Sequence, residues 1–190
     1  PQTERSRRLP RRSISARRPL SVDRGVPIVK KVLVIGCPGA GKSTFSRGLR
    51  AKTGLPLYYL DMLWHKPDKS NFTQEEFDCA LSEILKSEEW IVDGNYIRTL
   101  EERLRRCDTV FLLNIPVNEC LQGVKARVGV RREDMPWTET GSDPEFEQWI
   151  VDFPRDQMPK IRELLTKYGD GRRVVEFCSR AEADEFLKNL

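Results

Sequence analysis

The stretch Gly36-Cys37-Pro38-Gly39-Ala40-Gly41-Lys42-Ser43 satisfies the pattern GxxxxGK[ST] at every fixed position. With glycine at about 7% of residues, a chance match in a chain of this length is on the order of one per cent. Each fixed position has its own physical reason. Gly36, Gly39 and Gly41 let the backbone wrap closely and turn its N–H groups inward around phosphate oxygens, and a following helix adds the positive end of its dipole. Lys42 contributes a mobile full charge toward the β and γ phosphates, and the Ser43 hydroxyl can ligate magnesium. Pro38, Ala40 and Thr44 complete the set expected to touch ATP. The bland alternative is a glycine-rich turn that merely packs. Cys37 lies inside the loop near the predicted helix N-terminus; that position favours a thiolate, and a small side chain there is sufficient in itself.

Phosphate binding alone does not choose among kinases, GTPases, motors and ATPases, so the remaining polar residues must decide. Asp61 and Asp93 each follow a short apolar run that predicts a strand, Leu57–Leu60 and Trp90–Val92. Both acids should therefore emerge at the carboxyl edge of a parallel sheet, where such folds gather ligands. There an aspartate can hold magnesium through its water shell or take a proton from an attacking hydroxyl; a cap or turn role is the alternative. Phosphoryl transfer also needs positive charge spread over three oxygens, and Arg127, Arg131 and Arg132 lie together where a predicted helix gives way to an irregular polar segment. Arg98 and Arg103, five apart on one predicted helix, are candidates for the acceptor side. Trp64 and Tyr96 could stack on an acceptor ring or serve the core. Ser179 and Arg180 follow the last predicted strand, as a donor-base contact or a helix cap.

The stretch Val92-Asp93-Gly94-Asn95-Tyr96-Ile97-Arg98-Thr99 resembles the acid, glycine and arginine segment of adenylate kinases, although Arg98 falls one residue further from the acid here. The resemblance implies magnesium near Asp93, acceptor phosphate held by Arg98, and lid arginines at Arg127, Arg131 and Arg132. A closer likeness is to the adenylate-kinase-related family labelled topology modulation protein, which is similar to this chain over nearly all of residues 31–190. It is carried by Leu60-Asp61 with Trp64, Trp90 to Tyr96, Thr99-Leu100 with Arg103-Leu104, Asp108 to Pro116, Cys120-Leu121, Arg132 to Met135, and Phe146 with Trp149-Ile150 and Phe153. It implies a nucleotide-kinase fold. On these grounds Lys42, Asp61, Asp93, Arg127 and Arg132 are expected to be catalytic, with Asp61, Trp64, Asn95, Tyr96, Arg98 and Arg103 on the acceptor and Arg131 on ATP.

The elements that must hold these residues alternate from Lys31 onward. A buried strand (32–35) leads through the loop into a helix (42–52) that Gly54 should stop. Further strands are predicted at 57–60, 90–92, 109–114 and 173–177. Helices are predicted at 73–86, opened by the capping pair Thr73 and Glu76, and at 98–106, 117–127 and 181–190. Phe146, Trp149, Ile150 and Phe153 mark another helical face, which Pro154 and Pro159 should end or restart. The pattern is α/β: a P-loop NTPase fold, nucleotide kinase-like, with a doubly wound five-stranded parallel sheet, helices on both faces and a short lid.

Residues 1–31 hold ten Lys or Arg against two acids, which leaves 23 bases and 27 acids in residues 32–190. The basic excess thus belongs to the Arg, Ser and Pro-rich opening, residues 1–30, which is expected to be disordered; a tag or upstream read-through, a targeting peptide and a nucleic-acid arm share that composition. Five cysteines without a CxxC pair suit a reducing cytoplasm, and no apolar run approaches the roughly 20 residues of a membrane span. The expected function is transfer of the γ-phosphoryl group of ATP, with Mg²⁺, to a nucleotide or other small acceptor. The rival reading is an ATP-binding regulator of DNA topology, which the acidity of residues 32–190 disfavours.

Overall fold

Val32, Leu33, Val34 and Ile35 are completely shielded from solvent, as a continuous apolar run requires of a strand covered on both faces. They form β1 (Lys31–Gly36) in a computed structural model that describes residues 29–190 apart from Ser142. Most of the basic opening, residues 1–28, lies outside the described residues. After the loop come α1 (Lys42–Thr53), β2 (Leu57–Tyr59), α2 (Leu60–Trp64), α3 (Gln74–Lys86), β3 (Trp90–Asp93) and α4 (Ile97–Arg106). The second half adds β4 (Thr109–Leu113), α5 (Val117–Lys125), α6 (Pro144–Asp156), α7 (Met158–Tyr168), β5 (Arg173–Phe177) and α8 (Arg180–Lys188).

The five strands are all parallel, in the order β2-β3-β1-β4-β5. The chain adds strands on one side of β1 and then crosses to the other, so the end of β1 is the topological switch point where such sheets open a crevice. The loop at Gly36–Ser43 sits there. Helices cover both faces: α1 packs on α8, while α7 joins α4 and α6, and α5 packs on α6. Phe45 from α1, Phe111 from β4, Phe177 from β5 and Phe186 from α8 meet with ring centroids 4.9 to 6.3 Å apart, tying one helical layer to the sheet. Among the described residues, no helix is long and apolar enough to cross a membrane.

Two expectations about elements need correction. The second strand stops at Tyr59, and Leu60 opens the five-residue helix α2, so Asp61 lies in a helical first turn and not directly after a strand. Pro154 does not end its helix: α6 continues to Asp156, because a proline this near the C-terminus costs a single backbone bond. Pro159 does mark a restart, in the first turn of α7, where its missing N–H is of no consequence. The capping box of Thr73 and Glu76 is present in both directions.

Candidate functional site

A cavity of about 1200 Å³ opens at the carboxyl edge of the sheet, floored by Pro38, Gly39, Ala40, Gly41, Lys42, Ser43 and Thr44. Gly41 is in the left-handed region (φ 101°) as the N-cap of α1, without a side-chain cap and with no acid in the first turn, so the unsatisfied N–H groups of that turn are left for an anion. Two glycines are obligatory by contact. A Cβ on Gly36 (φ 144°) would lie 2.3 Å from the carbonyl oxygen of Leu113, and one on Gly39 would lie 2.0 Å from that of Cys120. Gly36 itself lies outside the cavity lining; it is the seat from which the loop rises. Lys42 Nζ donates to the carbonyl of Cys37 at 3.1 Å, a single contact within its own loop. Cys37 is buried, and its contact with the Cys120 thiol together with that burial pushes its pKa up, which favours the reading of a small side chain packed in the loop.

Asp93, the last residue of β3, is 4% exposed and its Oδ2 has no hydrogen-bond partner. Burial pushes its carboxyl up to about 6, against the pull of Lys42 and the Ser43 hydroxyl, and the carboxylates of Asp61 and Asp134 add to the rise. An orphaned carboxylate oxygen beside a serine hydroxyl at the foot of a phosphate loop fits a hydrated magnesium ion. Ser43 and Asp93 are the residues that would hold it, and the ion would supply charge neutralisation for the phosphates.

The turn Gly94–Tyr96 after β3 ties several parts of the site together. Asn95 lines the cavity, and its amide accepts from the Gly36 N–H (2.9 Å) and donates to the Gly36 carbonyl (2.6 Å), which ties it to the loop. Tyr96 has a left-handed backbone (φ 33°), strained for a bulky residue, and its hydroxyl donates to Asp61 Oδ1 at 2.9 Å. Its ring stacks on Phe77, 5.1 Å between centroids, with Trp64 nearby, and Trp64 lies outside the cavity lining. Arg103 explains how the turn is held. It is completely buried and gives its guanidinium to the carbonyls of Gly94 (2.8 Å), Asn95, Tyr96 (2.9 Å) and Thr99 (3.3 Å). Burial lowers its pKa to about 9, yet this set of carbonyls favours the charged form. Asn95→Ala is expected to cost about 1–3 kcal/mol in urea unfolding, because it orphans both backbone groups of Gly36. It should also weaken ATP binding about tenfold by calorimetry; unchanged values for both would remove Asn95 from this tether.

The structure separates the predicted arginines. Arg127 and Arg132 line the cavity. Arg127 Nε faces Glu139 Oε2 at 3.0 Å without hydrogen-bond alignment, and burial is the main cause of its lowered pKa. Arg132 binds Asp134 (3.0 Å) and Glu139 (3.4 Å). Arg131 is exposed and lies outside the lining, as does Arg98, which makes a two-pronged ion pair with Asp78 (2.6 and 2.9 Å). The connection from α5 to α6 that carries these groups is fastened by Glu133, which accepts from the Tyr59 hydroxyl at 2.6 Å and faces Arg50 and Arg47.

Several cavity residues are not site candidates in the sequence: Asp134, Glu139 and Trp137, with Phe146 and Trp149, which the sequence marks only as a helical face and as part of the family resemblance. Asp134 lies inside the Arg132 to Met135 segment of the family resemblance, and that was the one available signal. His65 lines the wall with its ring edge-on to Trp137 at 4.9 Å and its Nδ1 on Asn71. Ser179 caps α8 by accepting from the Glu182 N–H, and Arg180 reaches back to the carbonyls of Gly39 (2.9 Å) and Glu119 (2.8 Å).

A shikimate kinase from Acinetobacter baumannii, solved with shikimate, matches 85% of this chain and 92% of its own with TM-score 0.57 at 20% identity. The fold is that of the P-loop kinases. A shikimate kinase from Bacteroides thetaiotaomicron matches with TM-score 0.50 at 14% identity, covering 83% of this chain and 94% of its own. A sugar kinase from a Janibacter species matches with TM-score 0.51 at 16% identity, covering 85% and 91%. No family model matches the chain, and no curated protein matches it. Within this fold, the cavity at the switch point between β1 and its neighbours is lined by Lys42, Ser43 and Asp93 together with Asp61 and Tyr96.

Proposed function

We propose that this protein is an ATP-dependent kinase that transfers the γ-phosphoryl group to a hydroxyl of a small molecule. The carrying observation is one cavity whose floor is a GxxxxGK[ST] loop and whose walls hold two aspartates, Asp61 and Asp93, in different environments. The loop amides and Lys42 hold the triphosphate, and Ser43 with Asp93 would hold its magnesium. Asp61, fixed by the Tyr96 hydroxyl, orients the attacking hydroxyl and takes its proton as the O–P bond forms and the bond to the leaving ADP breaks. Arg127 and Arg132, on the segment that borders the cavity, supply charge at the transferring group. The reaction needs positioning and electrostatics and no covalent enzyme intermediate. The resemblance to the topology modulation protein family supports a small-molecule or nucleotide kinase, and the reading extends to one kinase domain over residues 31–190.

Asp61→Asn tests the assignment. It keeps the Tyr96 contact in shape and removes the proton acceptor, so kcat with a working acceptor is expected to fall about 10²–10⁴-fold while ATP affinity stays within a few-fold. Turnover equal to wild type would take Asp61 out of the chemistry. Absence of any heat on mixing the protein with ATP and Mg²⁺ would overturn the kinase reading as a whole.

A further inference from the structure

An acceptor that carries a phosphate or carboxylate places extra negative charge beside the γ-phosphate, and holding it there takes cations not committed elsewhere. Among the described residues, the Lys and Arg side chains lining the cavity are Lys42, Arg47, Lys125, Arg127, Arg132 and Arg180. Lys42 serves the donor phosphates. Arg127 and Arg132 face Glu139 and Asp134, and Lys125 faces Glu147 at 3.6 Å. Arg47 donates to the Thr44 hydroxyl at 3.2 Å and faces Glu133 at 4.0 Å, and Arg180, whose Nε is buried without a partner, is anchored through one nitrogen to the carbonyls of Gly39 and Glu119, which places it beside the donor loop. The two arginines expected on the acceptor side have gone elsewhere: Arg98 to Asp78 on the surface, Arg103 into the core.

The carboxylates of the lining gather near the loop instead. Asp61 and Asp134 join Asp93 there, and both lie close enough to act on its charge. Asp134 is only 5% exposed and its Oδ1 has no partner. A buried carboxylate oxygen in that position calls for a hydroxyl or ammonium donor, and it repels an anion. Beside these acids are ring surfaces, Trp137 against His65 and Phe146 stacked on Trp149 at 6.1 Å, which suit the C–H face of a saturated ring.

We propose that the acceptor is a polyhydroxyl compound without an anionic group, a sugar, cyclitol or amino sugar, and that nucleoside monophosphates are not acceptors. This rests on the kinase reading of the same cavity. In the step, the acceptor hydroxyl oxygen forms the bond to γ-phosphorus, the bond to the β–γ bridging oxygen breaks, and the hydroxyl proton passes to Asp61.

The test has two arms. The protein saturated with Mg²⁺ and a non-hydrolysable ATP analogue is titrated with inorganic phosphate by calorimetry. ATP consumption is then followed with paired acceptors, each hydroxyl compound beside its own phosphomonoester: hexoses, amino sugars, cyclitols and nucleosides. The expected result is no saturable phosphate binding up to about 10 mM. At least one uncharged or cationic sugar, cyclitol or amino sugar should raise ATP consumption by about tenfold or more over the acceptor-free rate, and no phosphomonoester should do so. Saturable phosphate binding, a phosphomonoester preferred over its parent, or a panel in which no sugar, cyclitol or amino sugar is accepted each overturns the proposal. Failure of the loaded protein to form at all is a separate outcome, in which the kinase reading fails and this proposal falls with it.

Discussion

Replacing Lys42 by alanine is expected to lower ATP-dependent turnover by on the order of 10³-fold, the scale of losing a dedicated charge at a transferring phosphoryl group. The fold should survive. Lys42 begins α1 and its ammonium makes one contact, to the carbonyl of Cys37, so truncation opens no cavity in the core behind it, where Phe45 and Leu49 do the packing. Alanine is also a strong helix former. The measurement is kcat at saturating Mg²⁺ and ATP, beside thermal melts of both proteins. Comparable turnover in the variant, or a melting temperature depressed by many degrees, would break the link between this side chain and phosphoryl transfer.

Asp93→Asn should do the opposite to stability and to function. In the folded chain burial raises this carboxyl from 3.8 to about 6. Between those values the folded state holds a proton that the unfolded state has released, so stability falls as pH rises through the window and stays reduced above about pH 6. The shift corresponds to roughly 3 kcal/mol once Asp93 is fully ionised. Asparagine never ionises. The variant is therefore expected to be more stable than wild type by up to roughly 3 kcal/mol at pH 7–8 and about equal to it below pH 4, in urea unfolding without nucleotide. It should nonetheless lose the stabilisation that Mg²⁺ with ATP gives the wild type. A wild-type to variant difference that is flat from pH 4 to 8 would show that the Asp93 charge is not strained by its burial.

The parts of the site legible from sequence are those whose backbone demands a residue type. Gly36 and Gly39 are glycine because a carbonyl oxygen lies where a Cβ would go, and Lys42-Ser43 is fixed by the start of α1. Asp93 was legible as the polar end of a buried strand. The arginines were not. Whether Arg98 or Arg103 of α4 turns inward depends on which carbonyls the preceding turn exposes, and that turn is set by tertiary packing around Tyr96. Asp134 and Glu139 lie in a segment without periodicity, and their partners Arg127 and Arg132 define them only once the chain doubles back. The junction at Leu60 was misread because four apolar residues suit a strand as well as a strand followed by a helical turn.

The turn Gly94–Tyr96 holds Gly36 of the donor loop by one residue and Asp61 by the next, with Arg103 bolting it from beneath. The loop and Asp61, proposed above as donor grip and proton acceptor, thus share one mount, whereas Asp134, Trp137 and Glu139 hang on a separate strap between α5 and α6. Under the proposed function, such a division lets the molecule exchange one clientele for another by rewriting those three residues alone, with the distance from γ-phosphate to base left as it was.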